Sequence, residues 1–241
     1  MAERFAAEAG VPLFYREGEG AVDLSRELFS SETMAREAVR IIAGQDDPIG
    51  HGLAHVQKVA VDAGAIILLE DGRPWEDEEL RRITLLTHLA GVLHDIRRTE
   101  RQHAQRGAEE AARVLGPFAL IEEERRAITL AIRNHEAFQP HEEPEDQAAR
   151  LISNALYDAD KFRWGPDNFT ETLWAMLAPR RIPLNVVLPR FLHGLDSLRK
   201  IRETFRTETG RLYGPDFIDR GLVIGHRLYT ALTASGETEE P

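Results

Sequence analysis

The chain contains no cysteine. That absence excludes disulfide bridges, thiolate zinc sites and cysteine nucleophiles, so any metal bound here must be held by imidazole and carboxylate. Long apolar runs are missing too. The most hydrophobic stretches, Ala63 to Leu69 and Leu89 to Leu93, fall well short of the roughly 18 to 20 residues that a membrane-spanning helix needs. Residues Met1 to Gly10 set Glu3, Arg4 and Glu8 among alanines and lack the apolar centre of a secretory signal, which predicts a cytoplasmic protein. Basic residues are in deficit, 30 Lys and Arg against 41 Asp and Glu, for a formal net charge of −11. A field of that sign repels a polyphosphate duplex, so duplex nucleic acid is not an expected partner. A small phosphorylated substrate remains compatible, provided metal or arginine reverses the field inside one pocket.

What is present is a chain of 241 residues, 42% hydrophobic and 29% charged, enough for one sizeable core or two small ones. Apolar residues recur at three and four positions nearly everywhere and nowhere alternate with period two over a convincing length, which predicts an all-α fold. A first helix is expected to start after Ser30 or Ser31, with Ser31, followed by Glu32 and Thr33, offering a cap, and to end near Gly44, with an irregular arm before it. QDDPIGHG, at 45–52, is a turn-rich interruption. Leu53 to Glu70 then reads as a helix through Val56, Val59, Ala60, Ala63, Ile66 and Ile67, stopped by Asp71-Gly72. A third helix, Asp77 to about Arg97, opens on acidic residues and becomes almost wholly apolar from Leu85 to Leu93. Helices at His103 to Leu115 and Glu122 to Asn134 follow, then a polar loop from Gln139 to Asp146, and a long helix through Leu151 and Leu156 that Gly165-Pro166 ends. Residues 170–178, 184–207 and 215–233 are again helical in pattern, without repeats or low-complexity stretches. The expected organisation is an N-terminal arm (1–30), a helical core (31–165) and a C-terminal helical extension (166–241) packed on the core. Leu188, Phe191, Leu192, Leu195 and Leu198 in that extension are spaced to form either a lid or a homodimer surface.

The ionisable residues are not evenly placed. His94 and Asp95 close the most apolar helix, LLTHLAGVLHDIRR, where a buried carboxylate needs a cation. On its own, Asp95 is equally compatible with capping a neighbouring helix or pairing with Arg97 or Arg98. The weight shifts with His55 in HGLAHVQKV, His103 in HAQRGAEEA, His135 in AIRNHE, and Asp158 with Asp160 in LYDADKF, each at or near an expected helix end. Helix ends converge in a bundle, and imidazole with carboxylate suits Mn, Fe, Zn or Ni better than an all-oxygen calcium site. Periodicity does not choose between Asp158 and Asp160. At ~100° per residue they flank opposite borders of the stripe Ile152, Ala155, Leu156, Ala159.

The order His55, His94-Asp95, Asp160 resembles the H…HD…D pattern of the HD-domain superfamily of metal-dependent phosphohydrolases. HGLAHVQKV, AGVLHDIRR and YDADKF resemble its first, second and last motifs, so the likeness covers about 51–162. It implies that His55, His94, Asp95 and Asp160 hold one divalent ion (Mn, Fe, Ni, Co, Zn or Mg), with Asp158 a neighbour. His103 and His135 match positions that complete a second site in binuclear members, where Asp95 bridges, so one or two ions are expected. The implied activity is hydrolysis of a small phosphate ester or anhydride, with a nucleotide as the expected substrate, by metal-activated water. Asp95 and Lys58 are its expected catalytic residues. Of the cations near the ligands, Lys58, Arg97 and Lys161 are expected to bind substrate together with His51, while Arg98 and Arg163 read as solvated helix faces.

HDIRRTE lacks the paired acidic residues of the guanosine tetraphosphate hydrolases. Tyr213-Gly214-Pro215 has the wrong order for the Gly-Tyr-Pro triplet of the cyclic-dinucleotide phosphodiesterases, and DADKFRWGPDNF is unlike the commoner endings of the small nucleotide pyrophosphatases. The substrate is therefore not carried over. His88 reads as a packed side chain, and His141, His193 and His226 carry no expected chemistry. Trp164, Phe169 and Trp174 read as core aromatics, with a base-stacking wall as the alternative. Two other functions fit the same residues: a nucleotide-binding regulatory module that keeps the metal without turnover, and a di-iron oxygenase.

Overall fold

A computed structural model of the chain describes residues 1–44, 52–177 and 182–236. Among them every regular element is helical and none is a strand, so the fold is all-α. The first three helices, α1 (Ala2–Ala9), α2 (Leu13–Glu17) and α3 (Glu19–Ser31), occupy the segment expected to be an irregular arm. Gly10, Pro12 and Gly18 cut it into pieces, of which α1 and α2, with eight and five residues, are too short to display a long period. Each piece nonetheless buries a face: Phe5 on α1, Phe14 on α2, and Ala21, Val22, Ser25 and Phe29 on α3. Burial against the rest of the chain, more than propensity, makes such short helices stable. Ser31 does not cap the next helix either. Its hydroxyl donates back to the Leu28 carbonyl at 3.1 Å, finishing α3, and α4 (Thr33–Ala43) starts from Glu32.

The middle of the molecule is α5 (Leu53–Glu70) against α6 (Glu78–Leu93). Both are buried around most of their circumference, which explains their nearly continuous apolar runs. Asp77 caps α6 by accepting from the Leu80 amide at 2.9 Å. At the other end α6 stops at Leu93, short of the expected Arg97, and 94–99 fold into turns. The two helices meet backbone to backbone, since a Cβ added at Gly91 would lie 2.5 Å from the Ala60 Cα. Only glycine permits that approach.

α7 (His103–Val114), α8 (Glu122–Asn134) and α9 (Gln147–Phe162) complete the core, with α9 packed on α5, α6 and α8. A π-helical turn (Asn168–Thr172), α10 (Leu173–Leu177), α11 (Leu184–Ile201) and α12 (Glu208–Gly236) follow. α12 returns across the core to touch α1, α2, α5 and α9, and there Phe14, Phe162 and Phe217 cluster, the last two stacked at 4.3 Å between ring centres. Phe191, Leu195 and Leu198 of α11 are buried within the chain, Phe191 against Phe169 and Tyr229, while Leu192 of the same expected stripe is exposed. No described helix is long and apolar enough to cross a membrane.

Gly91→Ala should force α5 and α6 apart and lower unfolding stability by about 1 to 3 kcal/mol, measured by urea denaturation. His88 gives a pH-dependent expectation. Its ring lies 2.9 Å from the Ser25 hydroxyl and edge-on to Phe29, and burial lowers its pKa to about 3. Between about pH 6.5 and 3 the unfolded chain takes up a proton that the folded chain refuses, so stability contributed by neutral His88 is lost as the pH falls, at up to about 1.4 kcal/mol per unit. Urea midpoints at pH 7 and pH 5 should therefore fall further for the wild type than for His88→Gln.

Candidate metal centre

Five helix ends carry the ionisable residues to one place. His55 lies in the first turn of α5, His94 and Asp95 follow the end of α6, His103 opens α7, His135 follows the end of α8, and Asp160 stands in the last turn of α9. The Nε2 atoms of His55 and His94 are 3.4 Å apart. Asp95 Oδ2 is 3.8 Å from the first and 3.5 Å from the second, and Asp160 Oδ1 is 3.6 Å and 3.7 Å from them. Neighbouring ligands of an ion with bonds of about 2.1 Å stand about 3.0 to 3.4 Å apart, so a contraction of a few tenths of an ångström brings His55, His94 and Asp95 onto a divalent cation, with Asp160 Oδ1 at similar range from both imidazoles.

The other oxygen of Asp95 faces a second group. Its Oδ1 is 3.9 Å from His103 Nε2 and 3.6 Å from His135 Nε2. His55, His94 and Asp95 form one set able to hold a metal ion, and Asp95, His103 and His135 another, with ligand atoms within 4.8 Å of one another in each.

Hydrogen bonds outside the cluster orient two of the rings. His94 Nδ1 lies 2.7 Å from the Gly91 carbonyl and His135 Nδ1 2.6 Å from the Ile132 carbonyl. A carbonyl only accepts, so each Nδ1 carries the proton and donates it, leaving Nε2 aimed inward as a potential ligand. Charge favours a cation here. Burial opposes ionisation of the Asp95 carboxyl, yet His94 and His135 hold it well below the usual range. Asp160 is likewise held low against burial, by Lys161, His55 and His94. Burial also opposes a charged His94, but Asp95 and Asp160 outweigh it and raise its pKa.

No family model matches the chain, and neither a curated protein nor a solved structure matches it.

The expected substrate residues fall in different places. Lys58 lines a cavity of about 240 Å³ beside His55, together with Leu53, Arg163, Asp167 and Glu171, and its ammonium is 2.5 Å from Glu171 and 3.5 Å from Asp167. Lys161 does not face that space. Only 3% exposed, it donates to the His135 carbonyl at 2.9 Å and to Asp160, bracing two cluster residues from behind. That placement differs from the expected one beside a substrate. It also answers a need of Asp160, an anion at the C-terminal end of a helix, where the helix dipole disfavours it. Arg97 turns to Glu110 at 3.1 Å and Glu100 at 3.7 Å and does not line the cavity beside His55. His51 lies outside the described residues.

Two arginines expected on solvated faces are placed otherwise. Arg163, 6% exposed, donates to Asp62 at 2.5 Å, to Asp167 at 2.5 Å and to the Tyr15 hydroxyl at 2.6 Å, and Tyr15 donates in turn to Asp62 at 2.7 Å. The signal for this pairing was Asp62 itself, a lone carboxylate inside an apolar helix. Arg98 puts Nη1 2.7 Å from His103 Nε2. A guanidinium only donates, so His103 Nε2 accepts. Burial, then Arg98 and His135, lower the His103 pKa to about 4. Phe169 is buried and lines a separate apolar cavity of about 310 Å³ with Leu173, Phe191 and Leu195, and the cluster residues do not line it.

Asp158 and Asp160 have separate tasks. Asp158 accepts from the amides of Arg206 and Thr207 and from the Thr207 hydroxyl at 2.7 to 2.8 Å, tying the start of α12 to α9. Gly210 makes room for it, since a Cβ there would collide with the carboxylate. Burial raises the Asp158 pKa to about 6 against those hydrogen bonds. Asp158→Ala should cost about 1 to 3 kcal/mol in urea and leave metal content unchanged. Asp160→Asn should lose bound metal, read by elemental analysis. A reversed pattern would move the ligand to Asp158.

Proposed function

We propose that the chain is a metal-dependent phosphohydrolase of the HD-domain type, acting on a small phosphate ester or anhydride such as a nucleotide. The observation that carries this reading is the meeting of His55, His94, Asp95 and Asp160 within 3.4 to 3.8 Å of the two imidazole nitrogens, beside a polar cavity that holds Lys58. The order of those four residues along the chain supports it. A divalent ion held there would polarise a phosphoryl oxygen and lower the pKa of a water at neutral pH.

The remaining work falls to the chain's own groups. Gly91 and Ile132 carbonyls keep His94 and His135 in the tautomer that presents Nε2. Lys161 holds Asp160 and the end of α8 in place. Lys58 is 39% exposed in its side chain, enough to meet a phosphoryl oxygen in the cavity. Glu171, 53% exposed, gives up the ammonium to a dianionic phosphate, because an exposed ion pair is worth only ~0 to 1 kcal/mol.

The test is elemental analysis of protein purified without chelator, then a phosphate-release screen of nucleotides and simple phosphate esters with Mn, Co, Ni, Zn or Mg. Bound metal and turnover are expected, and Asp95→Ala should lose both while retaining its far-ultraviolet helical signal. Tight nucleotide binding without phosphate release under every metal would replace hydrolysis by a regulatory binding module. Oxygen consumption by an iron-loaded form would replace it by an oxygenase.

A further inference from the structure

We infer that this centre takes one divalent ion, because the Arg98 guanidinium occupies the His103 nitrogen that a second ion would need. This rests on the metal reading above and decides the number of ions, which the ligand pattern leaves at one or two. Three groups face the second position: Asp95 Oδ1, His103 Nε2 and His135 Nε2. The Nε2 of His103 has a single lone pair in the ring plane, and Arg98 Nη1 donates into it from 2.7 Å. One lone pair does not serve a guanidinium proton and a metal ion together.

Arginine suits the role because it keeps its charge at any physiological pH, whereas a lysine is readily neutralised when buried. Its Nε also comes within 3.8 Å of Asp95 Oδ2, so the guanidinium approaches the same carboxylate that two ions would share. A fixed positive charge there repels a second dication and compensates Asp95 in its place. The geometry of the turns after α6 delivers it: the Arg98 amide bonds to the Asp95 carbonyl at 2.9 Å, returning Arg98 to the side of the residue it guards. Arg97, the adjacent cation, is drawn away to Glu110, so Arg98 alone of the pair contacts His103.

The experiment is a manganese titration of the full chain, with ions per chain from elemental analysis and the electron paramagnetic resonance spectrum recorded on the same samples. The wild type should saturate at about one ion with the spectrum of isolated Mn(II). Arg98→Gln should rise to about two ions and show an exchange-coupled pair, and Arg98→Gln combined with His103→Ala should return to one. Arg98→Ala, with its helical signal checked by circular dichroism, guards against a misfolded Gln variant. Two ions on the wild type, or one on both folded Arg98 variants, would overturn the inference while leaving the metal centre standing. No ion on any of these proteins would overturn the metal centre itself.

Discussion

Two carboxylates, Asp95 and Asp160, sit almost out of reach of water, and a buried negative charge is tolerated only where positive charge faces it. Much of the surrounding architecture answers that requirement. Lys161 is drawn inward beneath Asp160, Arg98 reaches back toward Asp95, and His94 is pushed toward its charged form by both acids. His55 and His94 stand on either side of the place where α5 and α6 cross without a side chain between them at Gly91. The helices' close approach there accompanies the 3.4 Å separation of His55 and His94.

Much of the candidate centre was legible in the sequence because its residues stand at helix ends that strong punctuation marks. Asp71-Gly72 stops α5 and Gly116-Pro117 separates α7 from α8, and the observed bounds of α5 and α8 coincide with the expected ones. The choice between Asp158 and Asp160 was closed to periodicity, since both side chains are buried and two residues apart, and the partner that separates them, the start of α12, lies 48 and 49 positions away. The N-terminal helices were missed for a related reason. α2 is held by Phe14 reaching Phe162, Tyr213 and Phe217, while α1 packs on α12 and α3 on α5, contacts that no local window contains. Arg163 was misread as solvated because a cation three residues past Asp160 looks like helix surface until Asp62 and Tyr15 are placed against it.

Asp62 and Arg163 form a buried ion pair near the cluster, joined by the partly buried Tyr15 and Asp167. This group shares Arg163 and Asp167 with the cavity that contains Lys58, so part of that cavity's lining is fixed by ion pairs while Glu171 is more exposed. A fixed lining beside a yielding carboxylate suits a pocket that exchanges one anion for another. The N-terminal region thus contributes, through Tyr15, to the shape of a site whose expected ligands all come from later helices.

The two ends of the described chain are also tied together. The Leu13 amide donates to Asp216 across 203 positions at 2.9 Å, and Arg220 donates to the Ala9 carbonyl. Closing so long a loop adds only a modest entropic cost, because that cost grows with the logarithm of its length, but contacts between distant residues slow folding. During synthesis Phe14 has neither Tyr213 nor Phe217 to pack against until α12 leaves the ribosome, so this aromatic cluster closes only after all the intervening helices have been made.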